Sequence, residues 1–200
     1  MPTVGNVQRP RSLFEETIAN DQKLALSGEH TFDKPRVYLG IDPGASGGLA
    51  VVYRYGVRDG SVEAVPMPAT ERDIWDWFVQ WKDSGLGRSK PIAVIEKVTG
   101  YIGDGGNPGS AMFKFGTSYG GLRMALIAAE IPFEEITPQA WQKASGIFPR
   151  KSRGGETKTQ WKNRLKSKAQ QLFPLVKVTL PTADALLIAE YCMRKHEGRL

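Results

Sequence analysis

Three carboxylates in this 200-residue chain stand where carboxylates are uncommon. Asp42 closes the apolar run VYLGID just before a Pro-Gly turn, Glu96 closes PIAVIE, and Asp184 lies near the start of the apolar stretch TADALLIAEY. An ionised carboxylate is costly to bury unless its charge is compensated. Three of them in one place raise one another's pKa, and a divalent cation relieves the repulsion. Clustered carboxylate oxygens suit hard ions, Mg²⁺ or Mn²⁺. Two such ions about 4 Å apart activate water and stabilise the leaving oxygen in phosphodiester hydrolysis. Each acid also has a local alternative: Asp42 capping a turn, Glu96 pairing with Lys97, Asp184 stabilising a helix N-terminus through the macrodipole.

Whether the three meet depends on the elements that carry them. RVYLGID, GGLAVVYRYG and SVEAVPM read as three strands joined by short Gly-containing turns, as antiparallel neighbours require. A helix follows, with Thr70 and Asp73 as a cap pair and Ile74, Trp77, Phe78 and Trp81 on one face. That Trp cluster reads as core. PIAVIEKV is a fourth strand, KVTGYIGDGGNPGS a Gly-rich loop, and about Ser110 to Glu130 a long helix. PFEEI is a fifth strand; TPQAWQKASG opens a helix with Thr137 as cap and Pro138 at the first position. TKTQWKNRLKSKAQQLF forms a helix whose apolar stripe is Trp161, Leu165, Ala169 and Leu172. The closing helix is expected to begin near Thr182. The fold class that follows is α/β: a mixed five-stranded sheet, three antiparallel strands then two parallel, flanked by helices. If the first and fourth strands are neighbours, Asp42 and Glu96 emerge side by side, and a helix packed there brings Asp184 to them.

The totals limit the function classes. The apolar fraction of 40% and charged fraction of 24% describe an ordinary globule. The single cysteine, Cys192, rules out an internal disulfide and a Cys-rich zinc site. No apolar run approaches the roughly 20 residues that span a bilayer, and the N-terminus lacks the apolar core of a secretory signal. Residues 1–35 read as an extension with one short helix (Ser12 and Glu15 forming a capping box), and residues 36–197 as the domain. The net charge of +6 is uneven: Arg150 to Lys168 holds eight Lys or Arg against Glu156, a local +7. Such a patch neutralises phosphates, unless it is only a solvated helix face.

Four segments in order, GIDPGASGGLAVV, AVIEKV, AMFKFGTSYGGLRMALIAAEIPFEEITPQAWQK and TADALLIAEY, make the chain from about Val37 to Arg194 resemble the RuvC-type Holliday-junction resolvases. The phage and bacterial RuvC-like proteins and the related chloroplast resolvase are the nearest in pattern. The resemblance implies an RNase H-like fold, a homodimer, and Mg²⁺-dependent nicking of two symmetric strands at a four-way DNA junction, in recombination and repair. It makes Asp42 the first-strand metal ligand shared by two ions, Glu96 the fourth-strand ligand and Asp184 the acid of the terminal helix. It also implies that the long helix joins the dimer interface, where Gly120 and Gly121 permit a close crossing. One departure stands out. Proteins of this type carry a further acid or a histidine three to five positions before the last aspartate, and here those positions are Thr179, Leu180 and Pro181. The cage is then three side chains with waters, or another residue substitutes.

The Gly-rich loop after Glu96 leaves the site edge, so its surroundings are candidates for DNA contact. Tyr101 and Phe113 or Phe115 can stack on or wedge between bases, with Phe115 the better candidate for core. Lys114 can hold a phosphate. In the basic segment Arg150, Lys151, Arg153, Lys158 and Lys162 are the candidate phosphate contacts, and Lys151 or Lys158 can support the transition state. The expected partners are branched DNA and a second copy of the chain, with no membrane and no small-molecule substrate. The expected location is the cytoplasm of a bacterial or phage-infected cell, near the nucleoid, with an organelle stroma as the alternative. Three rivals remain: a nuclease for other branched DNA intermediates, a catalytically weak junction-binding protein, and a sugar-kinase or actin-like ATPase. The last needs a second lobe and leaves the +7 segment unexplained.

Overall fold

The computed structural model describes residues 36–54, 60–82, 91–98, 109–148 and 155–200. Five strands form one sheet: β1 (Arg36–Asp42), β2 (Gly48–Arg54), β3 (Val62–Pro66), β4 (Ile92–Glu96) and β5 (Phe133–Ile136). Their order is β3-β2-β1-β4-β5, antiparallel through β3, β2 and β1, and parallel from β1 through β4 to β5. This is the mixed sheet expected from the sequence. β1 lies at its centre and is buried on both faces, which is why its sequence is a continuous apolar run instead of an alternating one.

Among the described residues five helices cover the sheet: α1 (Glu71–Lys82), α2 (Gly109–Ala128), α3 (Pro138–Ala144), α4 (Lys158–Leu172) and α5 (Leu180–His196). Side chains alternate along a strand, so each face has its own core. Val37, Leu39, Ile41, Leu49, Val51, Ala93 and Ile95 pack with Ile74, Trp77 and Phe78 of α1 and Leu122 and Leu126 of α2. The opposite face, with Tyr38, Ala50, Val52 and Val94, packs against α5 and beyond it Trp141 of α3 and Leu165 and Ala169 of α4. Asp42 follows Tyr38 and Gly40 by the two-residue period, and Glu96 follows Val94, so both acids belong to the α5 face.

Local signals explain the helix starts. Thr70 and Asp73 do form a reciprocal pair: the Asp73 N–H donates to Thr70 Oγ1 at 3.1 Å, and that hydroxyl donates to Asp73 Oδ2 at 2.7 Å. α4 starts at a capping box between Thr157 and Gln160. α5 starts two residues before the expected Thr182, because the Thr179 N–H donates to Thr182 Oγ1 at 2.9 Å and Pro181 fits the first turn. Every residue from Thr182 to Glu190 is buried, which makes α5 the central helix of that layer. Gly40 is what lets it approach: a Cβ there would lie 2.2 Å from both the Ala185 carbonyl oxygen and the Ala189 amide nitrogen. Bare backbone of β1 thus meets bare backbone of α5, one turn from Asp184.

The expected extension, residues 1–35, lies outside the described residues, and so do Tyr101, Arg150, Lys151 and Arg153. No helix among the described residues is long and apolar enough to cross a membrane.

Candidate active site

The parallel register of β1 and β4 pairs Ile41 with Ile95, so Asp42 and Glu96 are the next residues on adjacent strands. Both come out at the end of the sheet covered by the first turns of α5, where Asp184 is 5% exposed. The three carboxylates lie within electrostatic reach of one another. Burial pushes the Asp42 carboxyl up to about 8, with Asp184 and then Glu96 adding to the rise and Lys162 opposing it. Glu96 is also raised, first by burial and then by Asp184, against a hydrogen bond from Trp141 and the charge of Lys162.

Each acid is held differently. The Trp141 indole Nε1 donates to Glu96 Oε2 at 2.7 Å, fixing the orientation of that carboxylate from the neighbouring helix α3. Lys162, reaching over from α4, donates to Asp184 Oδ2 at 2.5 Å. The other oxygen of Asp184, Oδ1, is buried and has no hydrogen-bond partner. A buried carboxylate oxygen without a donor is a departure from ordinary packing that a bound cation would relieve. Burial works against the charge on Lys162, but Asp184, Asp42 and Glu96 outweigh it and hold its pKa above the ordinary value.

The donor set fits a hard cation in its chemistry: all oxygen, all carboxylate, partly desolvated. The three side chains do not form a closed cage; among the described residues no three His, Cys, Asp or Glu side chains have ligating geometry. Lys162 holds one of the oxygens instead. No acid lies in the first turn of α5, so the shortage seen at Thr179, Leu180 and Pro181 is not made good there.

The turn after Asp42 is shaped by Gly44, with φ of +104°, and its Cβ position is 2.9 Å from the Phe115 ring. Phe115 of α2 therefore packs on the turn, half-buried, whereas Phe113 is 75% exposed. Phe113 and Lys114 line a groove of 790 Å³ that also borders Gly44 and Ala45. Lys114 and Lys158 are exposed. Among the described residues, Lys162 is the candidate DNA contact found inside the acidic cluster rather than on an outer face. Within the same segment Glu156 is taken up by Arg164 at 2.7 Å, and the Arg164 guanidinium stacks 5.3 Å from the Trp161 ring centre.

Sequence reasoning alone misses the roles of two contributors. In the sequence Trp141 reads only as part of a helix start, and Lys162 only as one of a run of phosphate contacts. The pairing of β4 with β5, Glu96 opposite Ile136, brings Trp141 five residues further on to the Glu96 side chain.

Comparison with known proteins extends the fold. A structure of T. thermophilus RuvC in complex with a Holliday junction substrate matches with a TM-score of 0.52 and 18% sequence identity, over 82% of this chain and 97% of that one. The fold is RNase H-like. A second Thermus thermophilus RuvC structure aligns over the same shares at 18% identity and a TM-score of 0.48. No protein-family model matches the sequence, and no curated protein matches it.

Proposed function

We propose that this protein is a metal-dependent endonuclease for branched DNA, with the four-way junction as its main substrate. The observation that carries the reading is the meeting of Asp42, Glu96 and Asp184 at one end of an RNase H-like sheet, with a buried oxygen of Asp184 lacking any partner. The junction-bound RuvC structure that shares this fold supports the choice of substrate.

Asp42, Glu96 and Asp184 would hold the ion, Mg²⁺ or Mn²⁺. The chemistry such an ion supplies is Lewis-acid polarisation of the phosphoryl group and activation of water at neutral pH. Trp141 fixes the Glu96 carboxylate at the site through its hydrogen bond to Oε2. The tight contact of Gly40 with α5 sets the spacing between Asp42 and Asp184. Lys114 and Phe113 at the groove, and Lys158 with the basic segment, bind the DNA backbone and a base at the junction centre.

Two symmetric cuts need two sites, and the outer face of α2 suits a second copy. Met124 and Ile127 are 58 and 56% exposed there, and nothing lies within 4 Å of a Cβ built on Gly116, Gly120 or Gly121. Open space over glycines lets two helices cross closely. A second reading, a junction-binding protein with little activity, is favoured by the missing fourth acid and by Lys162 inside the cluster.

The test is cleavage of a mobile four-way junction and a linear duplex of equal length, with Mg²⁺ and with chelator. The nuclease reading expects metal-dependent nicking of the junction, much faster than of the duplex. Tight junction binding without cleavage would leave the second reading in its place, and equal cutting of both substrates would make the protein a general nuclease.

A further inference from the structure

Two segments that reach the carboxylates also hold the main chain at Phe148. α3 sends Trp141 to Glu96, and the helix ends at Ser145 and Gly146, whose N–H groups donate to the Trp141 and Lys143 carbonyls at 2.9 and 3.0 Å. Gly146 has φ of +72°, so the chain turns sharply there. The Ile147 N–H donates to the Gln142 carbonyl at 2.9 Å, and the Ile147 side chain is buried. Phe148, the next residue, is 57% exposed. From the other side comes α4, which touches Asp184 through Lys162 and Phe148 through Arg164, whose Nη2 donates to the Phe148 carbonyl at 3.3 Å. The backbone beneath the ring is therefore held from both sides, while the ring itself is largely uncovered.

The charge around the ring indicates what would cover it. From Arg150 to Lys168 the sole acid is Glu156. Arg164 Nη1 takes that carboxylate at 2.7 Å, and the Glu156 side chain is only 9% exposed, so the acid is withdrawn from the surface. The same guanidinium lies 5.3 Å from the Trp161 ring centre. One side chain thus neutralises the acid, braces Phe148 and stacks on Trp161. Lys158, in the first turn of α4, is exposed. An apolar protein surface gains little beside so many uncompensated cations. A polyanion with flat apolar faces gains twice: its phosphates meet the lysines and a base meets the ring. Bases inside a duplex already stack on one another, so the ring favours an unpaired base, which a branch point supplies.

We propose that Phe148 is a stacking platform for an unpaired base near the branch point, and that Arg164 is the positioning residue that presents it. The proposal rests on the branched-DNA reading and deepens it by naming a contact that separates branched from continuous duplex DNA. The ring carries no charge, so stacking adds affinity without changing the number of phosphates neutralised.

Binding of the full-length protein to a labelled four-way junction, a single strand and a linear duplex is followed by fluorescence anisotropy, with chelator present so that nothing is cut. Phe148→Leu keeps an apolar side chain and removes the π face; it should weaken binding to the junction and the single strand by about fivefold or more and leave duplex binding within about twofold. The slope of log affinity against log salt should stay that of the parent, because no cation is lost. Phe148→Trp should bind at least as tightly as the parent. Arg164→Lys keeps the charge and loses the fork; it should show part of the same loss, and adding it to Phe148→Leu should cost less than the two single losses together. Melting and sedimentation are measured for each variant. A folded Leu variant with parent affinity for the junction and the single strand would overturn the proposal. So would a folded Trp variant as weak as the Leu one, equal losses on all three DNAs, or a changed oligomeric state, which would make the ring a contact between chains. Additive losses would overturn the role of Arg164. A parent protein with no preference for junction over duplex would instead remove the branched-DNA reading, and the single-strand comparison would still decide for or against the ring. A parent that binds none of the three DNAs would overturn both.

Discussion

Asp42 makes the metal-free protein a pH-sensitive one, and the size of the effect follows from its surroundings. Burial and the facing Asp184 and Glu96 carboxylates raise it from 3.8 to about 8. A carboxyl whose folded pKa lies above its unfolded value is neutral in both states below about pH 4. Between about pH 4 and 8 the unfolded chain loses this proton and the folded chain keeps it, so stability falls as pH rises. Each unit of pH in that window removes about 1.4 kcal/mol. From pH 5 to 7 the expected loss is therefore about 3 kcal/mol, a large share of the 5–15 kcal/mol typical of a domain. The assay is urea unfolding of the parent and of Asp42→Asn at both pH values in the presence of chelator. Glu96 is also raised, so the parent carries more than one contribution, and the difference between the two proteins isolates Asp42. The parent should lose about 3 kcal/mol more than the variant. Saturating Mn²⁺ should reverse the trend, because the ion competes with the proton for the same oxygens. Equal losses in parent and variant would refute the claim that Asp42 is crowded by buried like charge.

The remaining predictions concern single contacts. Glu96→Gln and Asp184→Asn should each abolish junction cleavage while changing junction affinity in a gel-shift assay by no more than a few-fold. Trp141→Phe removes the donor to Glu96 Oε2 and also the pyrrole half of a fully buried indole, so folding is checked by melting first; in folded protein cleavage should slow by about tenfold to a hundredfold, in line with about 1–3 kcal/mol for an orphaned buried partner. Gly40→Ala drives a methyl into the α5 backbone, and thermal melting should show severe destabilisation or no folded protein. Met124→Asp on the outer face of α2 should shift the species seen by analytical ultracentrifugation from dimer to monomer without lowering the melting temperature by more than a few degrees.

Much of this arrangement is legible in the sequence because burial writes itself into composition. β1 and β4 are apolar on both faces, so a carboxylate ending each of them stands out. α5 is apolar nearly all round, which marks it as an interior helix. Its start falls two residues earlier than the pattern suggests, because Pro181 looks like a breaker until Thr179 is seen to cap the helix. The two phenylalanines of α2 separate, Phe115 onto the Gly44 turn and Phe113 into solvent. Lys162 is harder to read. It sits in a run of lysines and arginines, and within such a run nothing in the sequence distinguishes the one side chain that the packing of α4 on α5 turns inward. Trp141 is hidden for a related reason: a buried tryptophan signals core, and the use of its N–H emerges only when the neighbouring strand's acid is in position.

The central claim is that Asp42, Glu96 and Asp184 together hold a hard cation. Anomalous scattering from crystals soaked in Mn²⁺ tests it most directly. The account predicts a strong peak in each chain within coordination distance of all three carboxylates. A map without such a peak, with Lys162 still bound to Asp184 at saturating Mn²⁺, would contradict it.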